Sequence, residues 1–169
     1  MKIGVISDTH RTAEPYSLPQ EVIARLLAER VELILHAGDV GDQSVLDELE
    51  AIAELRAVSG NMDPPALKAS LPNRLVEEAD GLRIGLIHGS GPPTRLGERL
   101  LPSFEADNID VLVYGHSHVP ENVAVEAAGR KVLLFNPGSL KSNRDGGQPS
   151  FGILTIENGR VSGEIIRIG

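Results

Sequence analysis

Nine Asp, Asn and His residues stand just beyond five short apolar runs. Asp8 and His10 follow Lys2–Ile6, and Asp39 and Asp42 follow Leu33–Leu35. Asn61 and Asp63 follow Leu55–Val58, His88 follows Leu82–Ile87, and His116 and His118 follow Val111–Tyr114. Taken singly, an Asp after a strand is usually a turn former or helix cap. A lone His is usually a hydrogen-bonded surface or core residue. Five coincident run ends reverse that balance. Asp8 and His10 are two apart, as are His116 and His118. In extended backbone such pairs project to the same side, so each pair can face one cavity. Three or four carboxylates, four imidazoles and one amide exceed a single tetrahedral site and fit two cations sharing a carboxylate. A nitrogen and oxygen donor set without sulfur favours Mn²⁺, Fe, Zn²⁺, Co²⁺ or Ni²⁺ over softer ions.

The elements that must carry these residues change character along the chain. The first half alternates apolar strand-like runs with helical patterns. Residues 11–20, with Pro15 and Pro19, read as a loop, and Val22, Ile23, Leu26 and Leu27 form a helical stripe behind them. Asp42 can cap a second helix bearing Val45, Leu46, Leu49 and Ile52. This β-α-β-α-β rhythm predicts a parallel sheet with helical crossovers. Asp80-Gly81 is a two-residue hairpin signal between Arg74–Ala79 and Leu82–Ile87. A helical stretch from Thr94 to Asp107 is broken near Pro102. Val119–Glu126, Lys131–Phe135, Phe151–Glu157 and Arg160–Ile168 read as mainly antiparallel strands. The mixture predicts two sheets packed face to face with helices outside. In such sheets ligands gather beyond the carboxyl ends of strands, where the nine residues stand.

At 169 residues the chain suits one domain, residues 1–169. Its formal net charge of −8 gives no electrostatic footprint for duplex nucleic acid or an anionic membrane. Cys is absent, so disulfides, thiolate catalysis and thiolate metal sites are excluded. No apolar run approaches a membrane span and Met1–Ser7 does not read as a signal peptide, which makes a cytoplasmic protein the expectation.

Asp8-Thr9-His10, Gly38-Asp39 with Asp42, Gly60-Asn61, His88 and Gly115-His116-Ser117-His118, in this order, resemble the calcineurin-like metallophosphoesterases. Gly60-Asn61-Met62-Asp63, Asn136-Pro137-Gly138-Ser139 and the short length resemble the compact prokaryotic phosphodiesterase branch, which shares its fold with the retromer subunit Vps29. The resemblance implies an α/β fold, a four-layer α/β/β/α sandwich of two mixed sheets flanked by helices. It implies a dinuclear site with Asp8, His10, Asp39 and His118 on one metal and Asp39, Asn61, His88 and His116 on the other. Manganese is the first choice of ion. Asp39, Asn61 and His88 would be the catalytic ligands, and a metal-bridging hydroxide the nucleophile. The implied activity is hydrolysis of small phosphate diesters. The alternatives are a phosphomonoesterase or phosphatase, and a non-catalytic Vps29-like scaffold. Oligomeric state stays open, a homo-oligomer included.

Other residues near these motifs have plainer expectations. Asp42 is expected to cap its helix rather than to orient a ligand, and His36 to be a buried structural residue rather than a support for Asp39. Asp63 either closes a turn before Pro64-Pro65 or braces Asn61. Asn136–Ser139 reads as a tight turn, or, as the resemblance implies, Asn136 and Ser139 supply hydrogen bonds that support the site, while Arg11, Lys141 and Arg144 are either solvated or substrate-facing. The resemblance to the broader superfamily implies a leaving-group-assisting His at the position of Met62, a departure that the compact branch shares.

Overall fold

The computed structural model describes residues 1–10 and 18–169. Arg11 and most of the predicted loop 11–20 therefore lie outside the described residues. Ten strands form two five-stranded mixed sheets. The first contains β1 (Lys2–Ile6), β2 (Leu33–His36), β3 (Glu54–Ala57), β9 (Ser150–Glu157) and β10 (Arg160–Arg167), in the order β10-β9-β1-β2-β3. The second contains β4 (Arg74–Ala79), β5 (Leu82–Ile87), β6 (Val111–Tyr114), β7 (Glu121–Ala127) and β8 (Arg130–Asn136), in the order β4-β5-β6-β8-β7.

Side-chain alternation with period two explains the layers. Ile3 and Val5, Leu33 and Leu35, Ile84 and Leu86, and Val111 and Val113 point into a core shared by both sheets. Ile34 and Ile6 face the other way, under α1 (Gln20–Glu29), α2 (Gln43–Glu50) and α3 (Pro65–Ser70), against Val22, Leu26, Val45, Leu49 and Leu67. Leu112 and Tyr114 face outward from the second sheet, under α4 (Leu96–Leu100) and a 3₁₀ helix (Leu101–Asp107), against Leu96 and Phe104. Three apolar layers between four structural layers give the expected α/β/β/α sandwich.

Several elements differ in detail from the sequence reading. The segment after Asp63 is a six-residue helix rather than only a turn. Pro65 suits its first position, and one and a half turns are too short to show a period. The 94–107 stretch splits into α4 and the 3₁₀ helix, next to Pro102. Strand β7 starts at Glu121, after Pro120, which has no N–H for the ladder. β8 pairs parallel with β6, while β9 and β10 cross to the first sheet. Asp80 and Gly81 both have positive φ (48° and 82°), as the tight hairpin requires.

Register places the site. Ile6 pairs with His36, and His36 with Ala57, so three parallel strands end level. In the second sheet Ile87 pairs with Tyr114. The loops after β1, β2, β3, β5 and β6 therefore open on one rim.

Candidate metal centre

The seven residues expected as ligands do meet at that rim. The loop after β1 delivers Asp8 and His10, and the loop after β6 delivers His116 and His118. His10 Nε2 and His118 Nε2 are 3.0 Å apart, and they stand 3.5 and 3.1 Å from Asp8 Oδ1. Asp39 Oδ2 lies 3.7 Å from His10 Nε2 and 3.3 Å from His88 Nε2, so one oxygen faces both halves of the cluster. Asn61 Oδ1 lies 3.2 Å from His88 Nε2 and 3.1 Å from His116 Nδ1. Two ligand groups suited to a metal result, Asp8/His10/His118 and Asp8/Asp39/His88.

The expected convergence occurs, through a different backbone. Asp8, His10, Asp39, His116 and His118 all have positive φ (53°, 47°, 53°, 65° and 55°) rather than extended conformation. Each such residue costs about 1–2 kcal/mol without a glycine. Turning the chain left-handed on both sides of Thr9, and on both sides of Ser117, throws the flanking side chains into the site. The middle side chains serve the scaffold. Thr9 Oγ1 donates to Val40 O (2.7 Å), and Ser117 Oγ accepts from Asn136 Nδ2 (3.0 Å).

Hydrogen bonds then decide which atoms remain free. Asp8 Oδ2 accepts from Ser7 Oγ and His116 N–H, while Asp8 Oδ1 is buried without a hydrogen bond. Asp39 Oδ1 accepts the Met62 N–H at 2.8 Å, which leaves Oδ2 turned to the imidazoles. A carbonyl can only accept, so His88 Nδ1–H donates to Ala37 O (2.7 Å) and His116 Nε2–H to Gly91 O (3.0 Å). In the neutral rings, His88 Nε2 and His116 Nδ1 then present lone pairs to Asn61 Oδ1. All three are lone-pair donors of the kind a divalent cation could join. Together with the orphaned Asp8 Oδ1, this donor set fits hard or borderline divalent ions.

The electrostatics agree. Burial alone would raise the Asp8 pKa, but the neighbouring imidazoles of His10, His118 and His88 and the Ser7 hydroxyl hold it well below the ordinary value. Burial likewise opposes ionisation of Asp39, and His88 and the Met62 N–H outweigh it and lower its pKa. Burial opposes charging of His88, yet Asp39 and Asp8 raise its pKa.

The supporting residues sort as follows. Asp42 caps α2 through Ser44 N–H (2.9 Å) and stays outside the cluster. The two Asp63 oxygens accept from Gly41 and Gly60 N–H (2.9 and 2.8 Å) rather than from the Asn61 side chain, tying the loops after β2 and β3 together. Asn136 donates to Gly115 O and Ser117, and Ser139 Oγ donates to Asp8 O (2.8 Å), as expected of supporting groups. Lys141 and Arg144 are exposed, and the Arg144 N–H donates to His118 O. Glycine matters where backbone must come close. A Cβ at Gly115 would lie 1.9 Å from Ser7 Oγ, and one at Gly60 would lie 2.1 Å from Asp39 Oδ1. The locking groups missed in the sequence are mostly backbone atoms of Ala37, Met62 and Gly91, which no residue type advertises.

His36 is fully buried beneath the site. Gly38 N–H donates to its Nδ1 (3.2 Å), so the neutral ring carries its proton on Nε2, facing Thr9 Oγ1 (3.2 Å). Burial pushes its pKa down to about 4. The folded state thus holds the ring neutral while the unfolded chain protonates near 6.5. The contribution is fully present above about pH 6.5 and is lost as pH falls towards 4, amounting to about 3 kcal/mol. Denaturant titrations of chelated protein between pH 7 and 4 should therefore show a shallower pH dependence in His36→Asn than in the wild type. Equal slopes would contradict the assignment.

A model of the calcineurin-like phosphoesterase superfamily domain matches residues 1–159. The chain belongs to that superfamily, and so by class among the phosphoric ester hydrolases. It is 37% identical over 169 residues to a probable metallophosphoesterase of Methanothermobacter thermautotrophicus, covering 100% of this chain and 94% of that one. Among solved structures it is similar to a novel archaeal phosphodiesterase, with a TM-score of 0.73, 28% identity and coverage of 98% and 100%. It is equally similar to Vps29 of Entamoeba histolytica complexed with zinc, with a TM-score of 0.73, 27% identity and 98% coverage of each chain. Among the described residues no helix is long and apolar enough to cross a membrane.

Proposed function

We propose that the protein is a metal-dependent phosphodiesterase that hydrolyses small phosphate diesters with two divalent cations. The observation that carries the reading is Asp39 Oδ2, poised between His10 and His88 while Met62 holds the other oxygen. In this reading Asp8, His10, Asp39 and His118 hold one ion. Asp39, Asn61, His88 and His116 hold the other. Manganese is the first choice, with Ni, Fe, Co or Zn as the alternatives for such a donor set. When bound, the ions lower the pKa of a water and neutralise charge on the phosphoryl oxygens. The protein's part is orientation. Ala37 and Gly91 fix the tautomers of His88 and His116, Ser7 aligns Asp8, and Asp63 keeps two ligand loops in register. Such orienting groups typically matter by 10–100-fold in metal affinity or activity. We read residues 1–169 as one domain acting in the cytoplasm on small esters. The similar archaeal phosphodiesterase supports the choice of diesters.

Metal analysis with a panel of diesters, monoesters and cyclic nucleotides tests the reading. Two divalent ions per chain and faster turnover of diesters are expected. Faster turnover of monoesters would favour the phosphatase alternative. Metal binding without any turnover would favour the scaffold. Adding Mn²⁺ at a hundredfold excess over Kd should stabilise chelated protein by about 2.7 kcal/mol for each site filled, or about 5–10 °C in Tm per site. An unchanged melting curve at saturating metal would mean the ligand groups do not form a site.

A further inference from the structure

A cleft of about 340 Å³ opens beside the Asn61 and His88 half of the cluster. Its lining is of three kinds. His88 and Asn61 belong to the metal half, Ile87 and Leu100 are apolar, and Lys68 and Asn73 are polar. Lys68 is the informative member. Its ammonium donates to Asn61 O at 2.7 Å, and it makes no ion pair among the described residues. Most arginines of this acidic chain are matched to carboxylates, as at Arg25–Glu29, Arg56–Glu77, Arg130–Asp110 and Arg167–Asp145. An ammonium has three donors, and one bond to a carbonyl leaves two N–H groups and the full charge unmatched.

The placement of Lys68 is built rather than incidental. Asp63 fixes the loop that precedes α3, and Leu67 is buried in the core beside α2. Lys68 follows Leu67 and so emerges at the cleft wall, with its N–H held by Pro64 O at 3.1 Å.

We propose that this cleft receives the organic group of the phosphate ester, and that Lys68 selects esters whose organic group carries a second anion. Lys68 is thus a specificity-determining residue. The inference rests on the phosphodiesterase reading above. Ile87 and Leu100 give the organic group an apolar wall, and the seat beside Asn61 and His88 puts the cleft next to the phosphoryl position. The recognised chemistry is a carboxylate or phosphate a few bonds from the scissile ester.

Two diesters that differ by one carboxylate test it, 4-nitrophenyl phenyl phosphate and 4-nitrophenyl 3-carboxyphenyl phosphate. Release of every phenol is quantified, so either bound orientation counts. The wild type should prefer the carboxylated ester by roughly three- to tenfold in kcat/KM, the range expected of a charge-assisted contact open to solvent. Lys68→Met should abolish that preference, Lys68→Glu should invert it, and Lys68→Arg should retain most of it. A preference untouched by all three changes would overturn the proposal. So would equal losses on both esters, which would mean that Lys68 only positions Asn61 through its carbonyl. Failure of the wild type to hydrolyse either ester would instead count against the phosphodiesterase reading itself.

Discussion

Replacing Asp39 with Asn should leave a folded protein that has lost nearly all turnover. The amide oxygen can still accept the Met62 N–H that Asp39 Oδ1 now accepts at 2.8 Å, and the amide nitrogen can donate to the lone pair of His88 Nε2. The fold therefore keeps its local hydrogen bonds. What disappears is the charged oxygen between His10 and His88, the atom in reach of both ligand groups. Loss of one orienting partner outside the ligand set typically costs 10–100-fold, so loss of a shared ligand should exceed about a hundredfold. Calorimetric titration with Mn²⁺ should show both binding events weakened. Full activity in the Asp39→Asn protein would overturn the two-cation arrangement. Weakening of one event only would show that Asp39 serves a single ion.

The layers and the rim were legible in the sequence because both depend on side-chain type. Leu33, Ile34 and Leu35 alternate between two cores, and a run that is apolar throughout reads as a strand buried on both faces. That Asp8, His10, Asp39, Asn61, His88, His116 and His118 gather at one rim was legible because residue types able to hold a metal recur at strand ends. The backbone that aims them was not. Left-handed φ at Asp8, His10, His116 and His118 leaves no glycine behind as a marker, since the residue that faces the cluster itself occupies the strained position. The carbonyls of Ala37 and Gly91 are equally silent. Helix α3 was hidden by its length, and with it the position of Lys68 beside Asn61.

Hydrolysis should slow steeply as the departing oxygen becomes more basic. Position 62, where the resemblance to the broader superfamily implies a proton-donating His, is Met in this chain. The residue is 68% exposed, and it is its backbone N–H that serves the site, on Asp39. A thioether cannot protonate an alkoxide. Asp63 is no substitute, because it is buried and both its oxygens accept backbone N–H groups from Gly41 and Gly60. General-acid help is typically worth about 10²–10⁴-fold, and it matters most for basic leaving groups. Steady-state rates on diesters graded from nitrophenolate to simple alkoxide, at saturating metal, should therefore fall across the series by a factor of that order beyond intrinsic reactivity. Met62→His should recover part of the loss for alkyl esters and little for nitrophenyl esters, because position 62 already has its backbone anchored beside Asp39. A flat dependence on leaving-group pKa would show that another donor reaches the departing oxygen. The ammonium of Lys68, anchored on the carbonyl of Asn61, would then be the group to replace, and a steep dependence appearing in Lys68→Met alone would identify it.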